Sequence, residues 1–291
     1  MLGDAPVQVM LERARLAEAV GYDTVWVADE RFYREVYSCL THFAAHTSNV
    51  LLGPCVTDPF SRHPALTAMA IATLDEVSGG RGILGIGAGI SGFVELGINR
   101  RKPARAIYET VEVIRALLRG GSVDFHGQVI NLDQGRLSFM PHRSAIPIYV
   151  ASNGPLGQRV AGTIADGAIM EASASVEEAR AFSDKVSASA SQAGRDPKSI
   201  EKIARLNTCV AENGHAARAA VRPLVARYLG AGRLRWPTLE GAGARASGRG
   251  AGSGCCGALR RGCCPVSTAT AADHRSPCRR ADPRRDHRRS G

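Results

Sequence analysis

The chain has 291 residues, of which 44% are hydrophobic and 22% charged, values typical of one large globular domain. Its formal net charge of +10 lies mostly at one end, because residues 241–291 contain 11 arginines and three acidic residues. The nearly neutral first 240 residues therefore argue against nucleic-acid binding through overall charge, and no apolar run is long enough for a signal peptide or a membrane-spanning helix.

Short apolar runs alternate with helix-like segments from about residue 6 to residue 230. The runs are rich in Val and Ile and lack polar alternation, as in parallel strands that are buried on both faces. This alternation predicts an α/β fold, and both a doubly wound sheet and a barrel fit it. The predicted strands are 23–29, 50–56, 82–88, 147–152, 167–171 and 203–210.

Prolines mark where the helices between these strands begin. Pro6, Pro64, Pro103 and Pro155 each stand at a first helical position, where the missing N–H of proline costs nothing. The segment near 122–133 instead predicts a β-hairpin insertion with His126 and Gly127 at its turn. We therefore expect one α/β domain over residues 1–232.

A glycine-rich stretch follows the third predicted strand. Gly87, Gly89 and Gly92 match the G-x-G-x-x-G pattern of dinucleotide-binding loops. The helix that a dinucleotide fold requires does not begin at once, and no acidic residue ends the next strand. A loop at the carboxyl end of a barrel strand, where a planar ring or a phosphate approaches the backbone, is the favoured interpretation, and a plain structural loop is the alternative.

Two further strand ends carry polar residues. The stretch 52–64 places Cys, Thr, Asp, Arg and His within ten residues, although each also has an ordinary structural explanation. In the stretch 146–158, a strand runs through Ser152, Asn153 and Gly154 into a helix opened by Pro155. Free backbone N–H groups and the positive end of a helix dipole at that position favour a phosphate site, and a simple capped turn is the alternative.

The last segment, 233–291, has a composition unlike that of the rest. From residue 241 it contains no aromatic residue, no Ile and no Met, and five of the eight cysteines fall there. Such a segment cannot build a core, and we interpret it as disordered or translated out of frame. A basic tail that binds nucleic acid and a metal site at its paired cysteines are the alternatives, although adjacent cysteines differ from the spacing of zinc sites. No metal ligands are predicted in the body of the chain.

Three stretches in this order resemble the luciferase-like flavin or deazaflavin oxidoreductases, and most closely the branch around methylenetetrahydromethanopterin reductase. They are LGPCVTDPFSRHPALTAMAIATLDEVSGGRGILGIGAG, RRKPARAIYETVEVIRALLRGG and IPIYVASNGPLGQRVAGTIADGAIM. The resemblance covers about residues 7–230. It implies a TIM-barrel-like (β/α)8 fold with an insertion, a cofactor ring across the carboxyl ends of the strands, and hydride transfer to a small organic substrate.

The resemblance also implies the residues of the site. Asp29 would face the ring, and a non-prolyl cis peptide would join Cys55 to Val56, so these three residues form the implied catalytic set. The residues implied to bind the cofactor are Thr57, Gly87, Gly89, Ala151, Ser152, Asn153 and Gly154. Coenzyme F420 is the implied cofactor, with FMN and monooxygenation as the alternative, and a complete barrel would form a homo-oligomer in the cytoplasm.

The sequence departs from the family pattern at three places. The family's first strand and its acidic residue are missing, Ile90 and Ser91 replace an acid after the glycine loop, and the eighth strand would fall in the tail. Strands one and eight are neighbours in a closed barrel, so their loss leaves two unpaired edges. We therefore expect an incomplete barrel that is unstable or inactive as written, a remnant of a working oxidoreductase.

Overall fold

Short strands alternate with longer helices along the chain, as the sequence predicts. The computed structural model describes residues 1–89, 91–171 and 175–230. In chain order the elements are α1 (Val7–Ala19), β1 (Thr24–Val27), α2 (Val36–Ala44), β2 (Leu51–Pro54), α3 (Pro64–Val77), β3 (Leu84–Ile86), α4 (Pro103–Leu118), β4 (Val123–His126), β5 (Asn131–Gly135), β6 (Ile148–Ala151), α5 (Pro155–Ile164), β7 (Gly167–Met170), α6 (Val176–Gln192), a 3-10 turn (Pro197–Ser199), β8 (Glu201–Ala204) and α7 (Gly214–Gly230).

The parallel strands follow one another in sequence order. β1 pairs with β2, and β3, β6, β7 and β8 pair in that order, all in parallel. The two sets are joined where Leu52 bridges to Gly82 and Thr57 bridges to Ile86. The described residues thus contain six parallel strands with helices between them, which confirms the predicted α/β class.

The segment before α1 lies along the outer edge of β1. The Met1 nitrogen donates to the Trp26 carbonyl at 2.7 Å, and the Ala28 N–H donates to the Met1 carbonyl at 2.9 Å. These two bonds have the spacing of a parallel ladder. Met1 therefore occupies the edge at which the sequence analysis finds no strand.

The predicted hairpin is present and is fastened to the barrel. β4 and β5 pair antiparallel, and Gly127 donates to the Ile130 carbonyl across the turn. The buried carboxylate of Glu109 in α4 accepts the N–H groups of Gln128, Val129 and Ile130 at 2.7–2.9 Å. One acidic side chain thus accepts three backbone N–H groups of the hairpin turn.

The last predicted strand, 203–210, is wrong in its boundaries, because β8 ends at Ala204. Its partner β7 ends at Met170, whose carbonyl accepts the N–H of Arg205, and no described residue continues the ladder beyond that bond. Leu206 and Val210 are 63% and 92% exposed there. The apolar residues Leu206 and Val210 are therefore not part of a buried strand.

Two apolar cores lie on the two faces of the sheet. The larger one packs helices against the outside of the strands and includes Leu40, Phe43, Leu74 and Ile114. The smaller core gathers residues of different strands, with Ile83, Tyr149, Ala151 and Ile169 buried and Trp26 packed against them. The edge-to-face contact of Trp26 and Tyr149, with ring centroids 5.5 Å apart, links β1 to β6.

The predicted tail at 233–291 and residue Ile90 lie outside the described residues. Within the described ranges, no helix combines the length and the apolar composition needed to cross a bilayer.

Candidate active site

The predicted site residues gather at the carboxyl ends of the parallel strands, the end where barrel enzymes carry their chemistry. Asp29 follows β1, Cys55 to Thr57 follow β2, and Gly87 and Gly89 follow β3. Ala151 ends β6, and Ser152 to Gly154 lead into α5. Residues far apart in sequence are brought to one edge because parallel strands all end on the same side.

Asp29 and Thr57 form the polar centre of this edge. The Thr57 hydroxyl donates to Asp29 Oδ2 at 2.7 Å, and Asp29 Oδ1 accepts no hydrogen bond from any described residue. Burial raises the pKa of Asp29, while the Thr57 hydroxyl and the Arg62 guanidinium act in the opposite direction. A carboxyl group with one free oxygen and opposing influences on its pKa is suited to accept and release a proton.

The peptide bond between Cys55 and Val56 is cis, as the resemblance implies. The backbone bonds to a neighbouring strand on each side of this peptide bond. The Cys55 N–H donates to the Val27 carbonyl of β1, and the Thr57 N–H donates to the Gly85 carbonyl of β3. Burial raises the pKa of the Cys55 thiol to about 12. A nucleophilic cysteine needs its thiolate, which this shift disfavours near neutral pH.

Gly87 lies between the cis peptide bond and the end of β6. A Cβ atom there would lie 2.7 Å from Val56 Cγ2 and 3.4 Å from the Ala151 carbonyl oxygen. Gly89 has φ +61°, and a Cβ there would lie 2.8 Å from the Phe93 ring. Gly87 therefore lets the ends of β2, β3 and β6 approach one another, and Gly89 lets Phe93 and Arg31 pack against the glycine loop.

The start of α5 presents free backbone donors. Ser152 Oγ accepts the Gly154 N–H at 3.1 Å, whereas the N–H groups of Leu156 and Gly157 make no hydrogen bond to a described residue. The side chain of Asn153 is occupied, because its amide exchanges two hydrogen bonds with the backbone of Glu171, at 2.6 and 2.9 Å. This helix start fits an anionic group through its backbone, and Asn153 fixes it to the end of β7.

Arg31 and Asp58 belong to the site although neither is among the implied catalytic or cofactor-binding residues, and only Asp58 lies in the polar stretch 52–64. Arg31 pairs with the buried Asp58 carboxylate at 2.6 Å and donates to the carbonyls of Asp29 and Ser91. Its guanidinium also lies 4.5 Å from the centre of the Phe93 ring. One buried cation thus ties together the loops after β1, β2 and β3, and the signal for it was a basic and an acidic residue directly after adjacent strands.

Arg62 forms the rim of the same edge. It pairs with Glu35 at 2.8 Å, and its Nε lies 4.0 Å from Asp29 Oδ2. Its guanidinium lies 4.9 Å from the centre of the Tyr37 ring. The stretch 52–64 therefore supplies four residues to the site: Cys55, Thr57, Asp58 and Arg62.

A cavity of about 370 Å³ lies in the loop between β3 and α4. Phe93, Val94, Gly97, Ile98, Asn99 and Arg100 line it. Apolar Phe93, Val94 and Ile98 line it together with polar Asn99 and the cation Arg100, and the same Phe93 packs under Arg31 beside the strand ends. The cavity thus adjoins the site without being formed by it.

Comparison with known proteins shows where this arrangement occurs. A family model described as luciferase-like monooxygenase matches residues 2–260. The 5,10-methylenetetrahydromethanopterin reductase of Archaeoglobus fulgidus is 37% identical over 213 residues, which are 73% of this chain and 63% of that reductase. The chain thus spans less than two thirds of the length of this relative.

Solved structures give the same picture. The coenzyme F420-dependent tetrahydromethanopterin reductase of Methanopyrus kandleri superposes with a TM-score of 0.74 and 30% identity, over 79% of this chain and 70% of that one. An F420-dependent secondary alcohol dehydrogenase, solved with an F420–acetone adduct, gives a TM-score of 0.72 at 24% identity over 82% of each chain, which speaks for the fold alone. The predicted TIM-barrel-like architecture is thereby confirmed.

Proposed function

Because the chain belongs to the luciferase-like monooxygenase family, we propose that it is an oxidoreductase that binds coenzyme F420 at the carboxyl ends of its strands and transfers a hydride to or from a small organic substrate. The names of its relatives support this cofactor, since both reductases above act on tetrahydromethanopterin derivatives and the solved one is named as F420-dependent. A bound deazaflavin would supply the hydride chemistry, and the protein would supply position and charge.

The start of α5 is the observation that carries the proposal. The free N–H groups of Leu156 and Gly157 stand at the positive end of a helix dipole, next to a Gly154 with no atom within 3.4 Å of where its Cβ would be. An anionic group of the cofactor fits there without a dedicated cation. Gly87 and Gly89 would line the ring side of the cofactor, next to Val56 and Phe93.

Asp29 is the group proposed to move the proton that accompanies the hydride. Hydride transfer to a carbonyl-like carbon leaves a negative charge that a proton must neutralise, and the reverse reaction must remove that proton. Asp29 Oδ1 is free to carry it, while Oδ2 is held by Thr57. The cavity beside Phe93 offers apolar surface for an organic substrate.

A titration of the purified full chain with F420 and, separately, with FMN tests the proposal. We expect F420 fluorescence to change saturably and FMN fluorescence to stay unchanged. Asp29→Asn should bind F420 as the wild type does but lose hydride transfer by about 100-fold or more, as for removal of a general acid–base. The matched control is Asp133→Asn, whose carboxylate is 77% exposed on the hairpin.

Three results would count against the proposal in different ways. Binding of FMN alone would replace the deazaflavin by the flavin and favour monooxygenation. Binding of F420 without turnover on any alcohol, ketone or methylene-pterin substrate would identify a remnant that keeps only its cofactor site. Binding of neither cofactor would remove the proposed function.

A further inference from the structure

Arg100 lines the cavity between β3 and α4, and no carboxylate of the described residues pairs with it. Its Nη1 donates to the Gly89 carbonyl, and its guanidinium lies 4.8 Å from the centre of the Phe93 ring. The Nε and Nη2 groups make no hydrogen bond to a described residue. Two contacts therefore hold the guanidinium in place, while its positive charge and two of its nitrogen donors remain available.

Arg31 shows the same contact with its charge neutralised. Its guanidinium lies 4.5 Å from the centre of the same Phe93 ring, and it pairs with the Asp58 carboxylate at 2.6 Å. Phe93, which is 5% exposed, thus contacts two cations, of which only Arg31 has a carboxylate partner among the described residues. An anion beside Arg100 would supply to the second cation what Asp58 supplies to the first.

The loop around the cavity contains few acidic residues. Residues 93–102 include three basic side chains and one acidic side chain, that of Glu95. Glu95 is not among the residues that line the cavity, and it forms no ion pair with a described residue. The Lys102 ammonium lies against the hairpin, where it donates to Gln128 Oε1 at 2.9 Å. The charge next to the cavity is therefore positive and attracts an anion.

The other walls of the cavity suit the body of an organic molecule. Phe93, Val94 and Ile98 provide apolar surface, and Asn99 adds one polar amide. The volume of about 370 Å³ lies within the range of about 300–1,000 Å³ that is typical of small-molecule sites. Apolar surface beside a single cation indicates a ligand with an apolar body and one acidic group.

The cavity lies one side chain away from the loop that carries Asp29. Phe93 forms part of its wall and contacts Arg31, and Arg31 Nη1 donates to the Asp29 carbonyl at 3.2 Å. Gly89, whose carbonyl accepts from Arg100, belongs to the glycine loop that would line the cofactor ring. A ligand in the cavity would therefore lie beside the position proposed for the ring.

We propose that this cavity binds the substrate and that Arg100 recognises a carboxylate on it, so that the substrate is an organic acid with an apolar body. Arg100 is then a specificity-determining residue, because Nε and Nη2 of a guanidinium form the edge that binds both oxygens of a carboxylate. The assignment of the ligand as the substrate rests on the proposed function, whereas the binding of an organic acid in the cavity does not.

Two ligands that differ in charge test the site. The full chain without cofactor is titrated with phenylacetate and, separately, with the neutral phenylacetamide, and the backbone amides of residues 93–100 are followed by proton–nitrogen NMR. We expect saturable shifts at these amides. The Kd of phenylacetate should be about fivefold or more below that of phenylacetamide, as for a charge-assisted hydrogen bond that is partly screened by solvent.

Variants of two adjacent arginines locate the charge that is responsible. Arg100→Gln should abolish the preference for phenylacetate, because the interaction requires the charge on both partners. Arg101→Gln is the matched control, since Arg101 is exposed and does not line the cavity, and it should keep the preference. Added salt should reduce the preference of the wild type.

Equal affinities of the wild type for the two ligands, or a preference that survives Arg100→Gln, would overturn the proposal. A repeat at saturating F420 separates a substrate from an acidic group of the cofactor itself. Phenylacetate should still bind, whereas its displacement by F420 would assign Arg100 to the cofactor and contradict a substrate site. Failure of F420 to bind would refute the proposed function, and the titration without cofactor would still decide whether the cavity binds an organic acid.

Discussion

The two ends of the strand barrel use the same chemical groups in opposite ways. At the amino ends of the strands, Arg81, Arg115, Arg143 and Arg195 donate to the carbonyls of neighbouring helix and strand ends. At the carboxyl ends, backbone donors at the start of α5 and an oxygen of Asp29 have no partner among the described residues. At the amino ends these hydrogen-bonding groups are paired within the protein. The carboxyl ends keep unpaired groups to which a ligand can bind.

Two buried ion pairs make this comparison quantitative. Arg143 and Asp75 pair at 2.5 Å at the amino end, and Arg31 and Asp58 pair at 2.6 Å at the carboxyl end, with both carboxylates fully buried. They are alike in chemistry and in the burial of their carboxylates, although the Arg31 side chain is 9% exposed and the Arg143 side chain 34%. They also differ in what they adjoin. Only the second pair connects loops that belong to the candidate active site.

Breaking each pair should give the largest effects. We expect Asp58→Asn to lower the free energy of unfolding by about 3 kcal/mol, because it leaves the buried Arg31 without its counter-charge. Asp75→Asn should lower it by less, because solvent reaches Arg143, whose side chain is 34% exposed. Urea unfolding followed by circular dichroism measures this loss. In addition, Asp58→Asn should weaken F420 binding by about tenfold or more, while Asp75→Asn should leave the Kd of the folded protein unchanged. Equal effects of the two variants on F420 affinity would remove the distinction between the ends.

Much of this distinction could be predicted from the sequence, and part could not. The strand ends, the glycine loop and the hairpin follow from local patterns, and the cis bond between Cys55 and Val56 follows from the resemblance. The Arg31–Asp58 pair joins residues 27 positions apart in two loops, so the sequence shows that each residue follows a strand but not that the two side chains meet. The end of β8 likewise depends on where its partner strand β7 ends and not on the apolar residues of its own sequence.

An intermediate effect is expected at Glu109, which lies between the two ends and fastens the hairpin. Although burial alone would raise it, the pKa of Glu109 is lowered by hydrogen bonds from Ile130, Gln128 and Arg105. A carboxyl group with a lowered pKa stabilises the fold above its unfolded pKa of about 4.3 and loses that contribution as the pH falls through its lower folded value.

Glu109→Gln should therefore lower the free energy of unfolding by about 2 kcal/mol at pH 7 and by less near pH 3. Urea titrations at both pH values measure the difference. The control is Glu112→Gln, one helical turn further along α4, where no described hydrogen bond or ion pair is lost. A loss at pH 3 as large as that at pH 7 would contradict the proposed role of the Glu109 charge.

The smallest effect concerns the rim of the carboxyl end. Arg62 lowers the pKa of Asp29 by its charge, at a distance of 4.0 Å and partly in contact with solvent. Arg62→Gln should raise the pKa of Asp29 by a few tenths of a unit, and added salt should reduce that difference. A carbon-13 NMR titration of the Asp29 carboxyl carbon in the full chain measures it, and a fall in the pKa of Asp29 would be inconsistent with this arrangement of charges.

The most direct test of the central claim is hydrogen–deuterium exchange of the full chain with and without F420. The account predicts that F420 slows exchange at residues 152–157 and 87–89 and leaves residues 78–83 and 164–166, at the amino ends, unchanged. Equal protection at both ends, or protection at the amino ends alone, would contradict the claim that the carboxyl ends of the strands form the cofactor site.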